Sequence, residues 1–107
     1  MIDHPERVTR LLDKLQPVLP LPARMTPELV ATLAKDHKGI TPACTIVAVN
    51  YAGDEGGIMC QLACPTERKI AIHASITHLR FDPRLPPARD IFVYQKHRVK
   101  ALRRQPR

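Results

Sequence analysis

The densest chemistry in this chain lies at residues 96–107. Lys96-His-Arg-Val-Lys-Ala-Leu-Arg-Arg-Gln-Pro-Arg107 puts six Lys/Arg and one His into twelve positions. On a helix, Lys96, Lys100, Arg103, Arg104 and Arg107 share one broad sector, with Arg98 toward a flank. Such a sector attracts phosphates by displacing condensed counterions, and five contacts imply a log–log salt slope of about −4.5 on duplex DNA. The grip is indifferent to sequence, because Tyr94 is the one aromatic nearby on which a base could stack. Lys96, Arg98, Lys100, Arg103, Arg104 and Arg107 are thus the expected contacts to a DNA or RNA backbone. The same run also reads as a solvated helix end that keeps the protein soluble.

Other reactive types are present without the geometry that chemistry needs. Cys60 and Cys64 followed by His73 and His78 give C-x3-C and H-x4-H, close to a zinc pattern. On a strand, however, the two thiols stand about 13 Å apart, too far to share one ion. A thiol nucleophile needs a base within hydrogen-bond reach, and Cys60 or Cys64 meets His73 only if the strands slip by one residue. Asp54 and Glu55 adjoin in a Gly-flanked turn, and nothing in the sequence brings Asp82 or Asp90 to them. Ser75-Ile-Thr-His-Leu-Arg80 reads equally as a polar pocket rim and as a strand end whose polar groups satisfy the backbone. No phosphate-binding glycine loop, G-x-S-x-G or H-E-x-x-H occurs. The expectation is a non-catalytic protein without metal or cofactor.

The charge is unevenly laid out. Residues 1–67 carry six Lys/Arg against eight Asp/Glu, and residues 68–107 carry eleven against two, so the net +7 comes wholly from the later part. That asymmetry points to a polyanionic partner. Three cysteines are an odd number and lie in apolar stretches, which favours reduced, buried thiols in a reducing compartment. No apolar run approaches the roughly 18 residues of a membrane span. The start Met1-Ile-Asp-His-Pro-Glu lacks the basic flank and apolar block of a signal peptide. A cytoplasmic location is expected. The 107 residues suffice for a single α+β domain.

The elements that must position these groups follow from punctuation and period. Residues 4–16 read as a helix with Asp3 as cap, Pro5 and Glu6 in the first turn, and Val8, Leu11, Leu12 and Leu15 in one stripe. Pro17-Val-Leu-Pro-Leu-Pro22 reads as a stiff extended connector. Thr26, Pro27 and Glu28 open a second helix, with Gly39 as its left-handed cap. Residues 1–39 are thus expected to form a helical layer. From Cys44 the period becomes two, and three strands (44–51, 58–64 and 69–77) are expected as an antiparallel meander over residues 44–77. Ala88 to Arg104 reads as a basic helix with Ala88, Phe92, Val99 and Leu102 in an imperfect stripe. Ile91-Phe-Val-Tyr94 has strand propensity, so a fourth strand is the competing reading. The expected order is ααβββα.

Register follows from the pleat. Pairing Tyr51 with Ile58 sets Val49 against Cys60 and Val47 against Leu62. Pairing Cys64 with Ile70 sets Leu62 against Ile72 and Cys60 against Ala74. One face then collects the apolar side chains, and a one-residue slip would scatter them. The opposite face, with Ile46, Ala48, Met59, Ala63, Ala71 and His73, is small and only half polar, and a helix or another subunit is expected to cover it. Two functions survive: phosphate grip by the C-terminal helix, or a homodimer or protein-interaction adaptor that uses this sheet face.

Overall fold

The computed structural model describes residues 3–64 and 72–104. It is an α+β structure in which helices pack on a curled, five-stranded antiparallel sheet. The first helix, α1, spans Pro5–Leu15, with Pro5 at its start and Val8, Leu11 and Leu15 buried. Its N-cap is His4, not the expected Asp3, and no side chain caps it. Asp3 is instead drawn into the interior. Pro17 falls in a 3-10 turn over Gln16–Val18 that ends the helix.

The proline-rich segment is not merely a connector. It runs into a strand, β1 (Leu21–Met25), whose Leu21, Ala23 and Met25 point inward. Residues 1–39 are therefore not a purely helical layer. Pro22 is tolerated because the Met25 N–H bonds the Pro42 carbonyl at 2.8 Å, and alternation from there leaves the Pro22–Thr45 pair without ladder bonds. The next helix, α2, spans Pro27–Ala34, and the Thr26 hydroxyl accepts from Leu29 N at 3.4 Å. It ends earlier than expected, and Gly39 takes its positive φ of 77° in the turn beyond.

The central strands β2 (Ala43–Tyr51) and β3 (Ile58–Ala63) pair as the pleat demands at Tyr51–Ile58 and Val49–Cys60. Between Ile46 and Ala48 a bulge breaks the register, so Leu62 faces Ile46 rather than Val47. One extra residue turns the pleat over. Val47 is left 42% exposed, while Cys44 and Ile46 turn into the core. Tyr51, expected inside, is exposed at the strand end.

The third expected strand is shorter: β4 covers Ile72–Ser75, with Leu62–Ile72 and Cys60–Ala74 in the expected register. The Cys64–Ile70 pair and residue Ala71 lie outside the described residues. Ile76–His78 form a 3-10 turn that delivers the chain to a two-residue strand, β5 (Leu79–Arg80), on β1. The strand order is β4-β3-β2-β1-β5, so three residues connect opposite edges of one sheet. Only a strongly curled sheet permits that. The expected three-stranded meander is thus the middle of a larger sheet.

The last helix, α3, spans Ala88–Arg104, and the competing strand over Ile91–Tyr94 does not form. Burial of Leu15, Ile46, Ile58, Leu62, Ile76, Leu79 and Ile91 closes one continuous core. No helix among the described residues is long and apolar enough to cross a membrane.

Candidate nucleic-acid interface

The docking of α3 decides which of its cations are available. The expected stripe of Ala88, Phe92, Val99 and Leu102 is not the buried one, for only Ala88 of the four is buried and Phe92 is 63% exposed. The helix instead seats Ala88, Ile91, Tyr94, Gln95 and Arg98 inward. Gln95, which interrupts the apolar pattern in sequence, is a docking group. Its Nε2 donates to the carbonyls of Ile76 and Leu79, both at 2.7 Å. Those carbonyls lie in and just after the tight turn between opposite sheet edges, where that of Ile76 also accepts from Leu79 N and that of Leu79 from Arg80 Nη1.

Arg98 is the second polar anchor. It is 2% exposed, Asp3 is 3% exposed, and Nη1 meets Asp3 Oδ2 at 2.7 Å. The Tyr94 and Tyr51 hydroxyls donate to the same oxygen at 3.0 and 3.1 Å. Arg98 Nη2 donates to the Asp54 carbonyl at 2.7 Å, and Ile58 N donates to the Tyr94 hydroxyl at 3.1 Å. Burial pushes the Tyr94 phenol well above its ordinary pKa; the Ile58 N–H pulls it down, and the Asp3 charge adds to the rise. Gly57, at a φ of 66°, lies against this cluster, and a Cβ there would collide with Tyr94 Oη and stand 2.8 Å from Arg98 Nε. Arg98 is therefore structural, which corrects its expected place among the phosphate contacts.

The other cations of α3 remain outside. Lys96, Lys100, Arg103 and Arg104 are exposed, and Arg89 joins them at the start of the helix. Arg89, Lys96, Lys100 and Arg103 are spaced by seven, four and three residues, which puts them on one face. Arg104 lies next to them around the helix. None makes an ion pair among the described residues, where the three pairs are Lys14–Asp90, Arg84–Asp82 and Arg98–Asp3. From Arg89 to Arg104 the ridge runs about 22 Å at 1.5 Å per residue. Arg107 lies outside the described residues. Arg89 does not stand out in the sequence because six residues separate it from the basic run.

The remaining candidates separate. On the outer sheet face, Ala63 and His73 are exposed and Ala48 and Met59 half-buried, but Ile46 is in the core because of the bulge. His73 pairs with Gln61, on the face away from buried Cys60, so its imidazole does not meet that thiol. Burial raises the Cys60 pKa to about 12 and that of Cys44 to about 11, the latter with a contribution from Cys64. Asp82 is held by Arg84 and Asp90 by Lys14, at 3.1 and 2.9 Å. Ser75 and Thr77 bond each other, and Arg80 bonds the carbonyls of Thr77 and Leu79, so this stretch satisfies its own backbone. Among the described residues no three His, Cys, Asp or Glu side chains gather as a metal site.

Fold and surface together define a small basic α+β domain whose last helix is pinned from inside by one arginine and lined outside by five other cations. Comparisons with protein-family models, curated proteins and solved structures gave no match.

Proposed function

We propose that this domain is a non-catalytic nucleic-acid-backbone binder that grips phosphates with the outer ridge of α3. One observation carries the reading. The helix directs its single buried cation, Arg98, to an internal carboxylate, while Arg89, Lys96, Lys100, Arg103 and Arg104 stand exposed without an acidic partner among the described residues. A packed helix holds these charges at fixed spacing, so binding does not have to order them. Four contacts from Lys96 onward give a salt slope of about −3.6, and Arg89 brings it to about −4.5.

The alternative, a homodimer or adaptor built on the outer sheet face, loses Ile46, the largest aliphatic side chain assigned to it. Anisotropy of a labelled short duplex, titrated at several salt concentrations, tests the proposal. Lys100→Ala and Arg103→Ala should each lower affinity and flatten the slope by about 0.9. Binding that ignores salt, or survives loss of both residues, removes the proposal. Light scattering of the same samples detects a dimer if the sheet face is the contact instead.

A further inference from the structure

A concave site beside the ridge is left unused by that reading. Helices α1 and α3 lie antiparallel, because Lys14 meets Asp90 at 2.9 Å and Asp3 meets Arg98 at 2.7 Å. Between these two ties is a cleft of about 330 Å³ floored by Val8, Leu11, Val93 and Tyr94. That volume is at the small end of the range for sites that enclose small molecules. Val93 is 53% exposed there, on a helix flank that could have carried a polar residue.

The two ends of the cleft differ in chemistry. Arg10 lies one turn before Lys14, and Arg89 one residue before Asp90, so both arginines line the end closed by the Lys14–Asp90 pair. That pair neutralises itself, leaving Arg10 and Arg89 as exposed cations without an acid among the described residues. Asp3 lines the other end, with Arg7 and His97. The Asp3 Oδ2 accepts three hydrogen bonds, while its Oδ1 is buried with no partner among the described residues. A buried carboxylate oxygen without a donor costs free energy, so Asp3 keeps unused acceptor capacity at this end of the cleft.

We infer that the α1–α3 cleft binds a small phosphate monoester, with the phosphate between Arg10 and Arg89, an apolar or aromatic body on Val8, Leu11 and Val93, and a donor group toward Asp3. Two arginines set around one opening suit a dianionic head, since each can bind oxygens through a planar pair of N–H groups. The apolar floor makes the body of the ester matter, which a surface that merely attracts anions would not do. The cleft lies on the flank of α3 that carries Asp90, Val93 and His97, beside the ridge of Lys96, Lys100 and Arg103. Arg89 alone belongs to both. The site therefore stands or falls separately from duplex binding.

The test is a 1H–15N correlation titration of the full chain with AMP, phenyl phosphate, inorganic phosphate and adenosine. The esters should give saturable shifts at Val8, Leu11, Val93 and His97, and bind at least about tenfold more tightly than inorganic phosphate. Adenosine should not saturate. Arg10→Ala should weaken ester binding by about tenfold or more and leave duplex affinity nearly unchanged, because one charge-assisted contact is lost. Lys100→Ala should do the reverse. Val93→Glu, at an exposed position, should abolish ester binding with the fold intact. The inference is overturned if neither ester saturates, if inorganic phosphate binds as tightly as the esters, or if the shifts fall on Lys96, Lys100 and Arg103 instead. Loss of duplex binding with ester binding retained would remove the ridge reading and keep this one.

Discussion

Asp3→Ala is the sharpest perturbation available, because it leaves a guanidinium inside the protein with one carbonyl for company. In the native chain Arg98 has two anchors, Asp3 Oδ2 and the Asp54 carbonyl, both at 2.7 Å. Removing one member of a buried pair typically costs about 3–5 kcal/mol. The Tyr94 hydroxyl also loses its acceptor, whereas Tyr51 is exposed and can turn to water. Total stability for a domain of this size is about 5–15 kcal/mol, so the variant sits near the edge of folding. Urea unfolding followed by circular dichroism should show the midpoint fall with little change in slope, and Tm should drop by about 12 °C or more. Arg98→Met should be costly for the same reason. The double variant should be more stable than Asp3→Ala alone, because it buries no unpaired charge. A single-variant cost below about 1 kcal/mol, or strictly additive losses in the double variant, would refute the claim that this pair is dry and coupled. A second readout separates structure from binding: Arg98→Met should leave the duplex salt slope unchanged, while Lys100→Ala changes it.

Three further outcomes are expected. Gln95→Leu improves the apolar pattern of α3 yet should destabilise the protein by about 1–3 kcal/mol in chemical denaturation, because the Ile76 and Leu79 carbonyls lose a buried donor and keep only Leu79 N–H and the exposed Arg80 guanidinium; a neutral or stabilising result would mean water reaches that turn. Gly57→Ala should cost more than about 2 kcal/mol, since it adds a collision with Tyr94 and Arg98 to the strain of a positive φ. Gly53→Ala, with the same sign of φ and open space, should cost about 1 kcal/mol, and equal losses at the two positions would discount the collision. Stability should also fall in alkali. The Cys44 and Cys60 thiols are raised from 9.0 to about 11 and about 12, so the folded state holds protons that the unfolded chain gives up. Their contribution is complete below pH 9 and is lost as pH climbs toward 11–12, at about 1.4 kcal/mol per pH unit for each thiol. Cys44→Ala/Cys60→Ala should flatten that decline, and an unchanged slope would place its origin elsewhere.

Alternation made the middle of the sheet legible. Tyr51–Ile58, Val49–Cys60, Leu62–Ile72 and Cys60–Ala74 follow from the apolar period alone. The bulge was not legible, because Ile46-Val-Ala-Val49 carries no polar residue to mark where the pleat turns over. Prolines at 17, 20 and 22 concealed β1, whose one ladder proline happens to need no N–H. A two-residue β5 has too few residues to show any period. The ridge was legible as charge and the helix as propensity. The role of Arg98 was not, since its partner lies 95 positions away and a buried arginine looks like its neighbours in a basic run. Gln95 misled for a related reason: periodicity counts apolar contact, while this helix docks partly by hydrogen bonds from Gln95 to two backbone carbonyls.

The link between Asp3 and Arg98 has a consequence for how the chain acquires its shape. Synthesis proceeds from the amino end, so the first helix emerges bearing a carboxylate whose counterpart does not yet exist. Every strand is made before the arginine arrives. Until then α1 has an anionic end that prefers water to the sheet, and its apolar stripe lacks the helix that flanks it. The last turns of α3 therefore act as a latch, and a nascent or truncated chain that lacks them should remain open to proteases and chaperones.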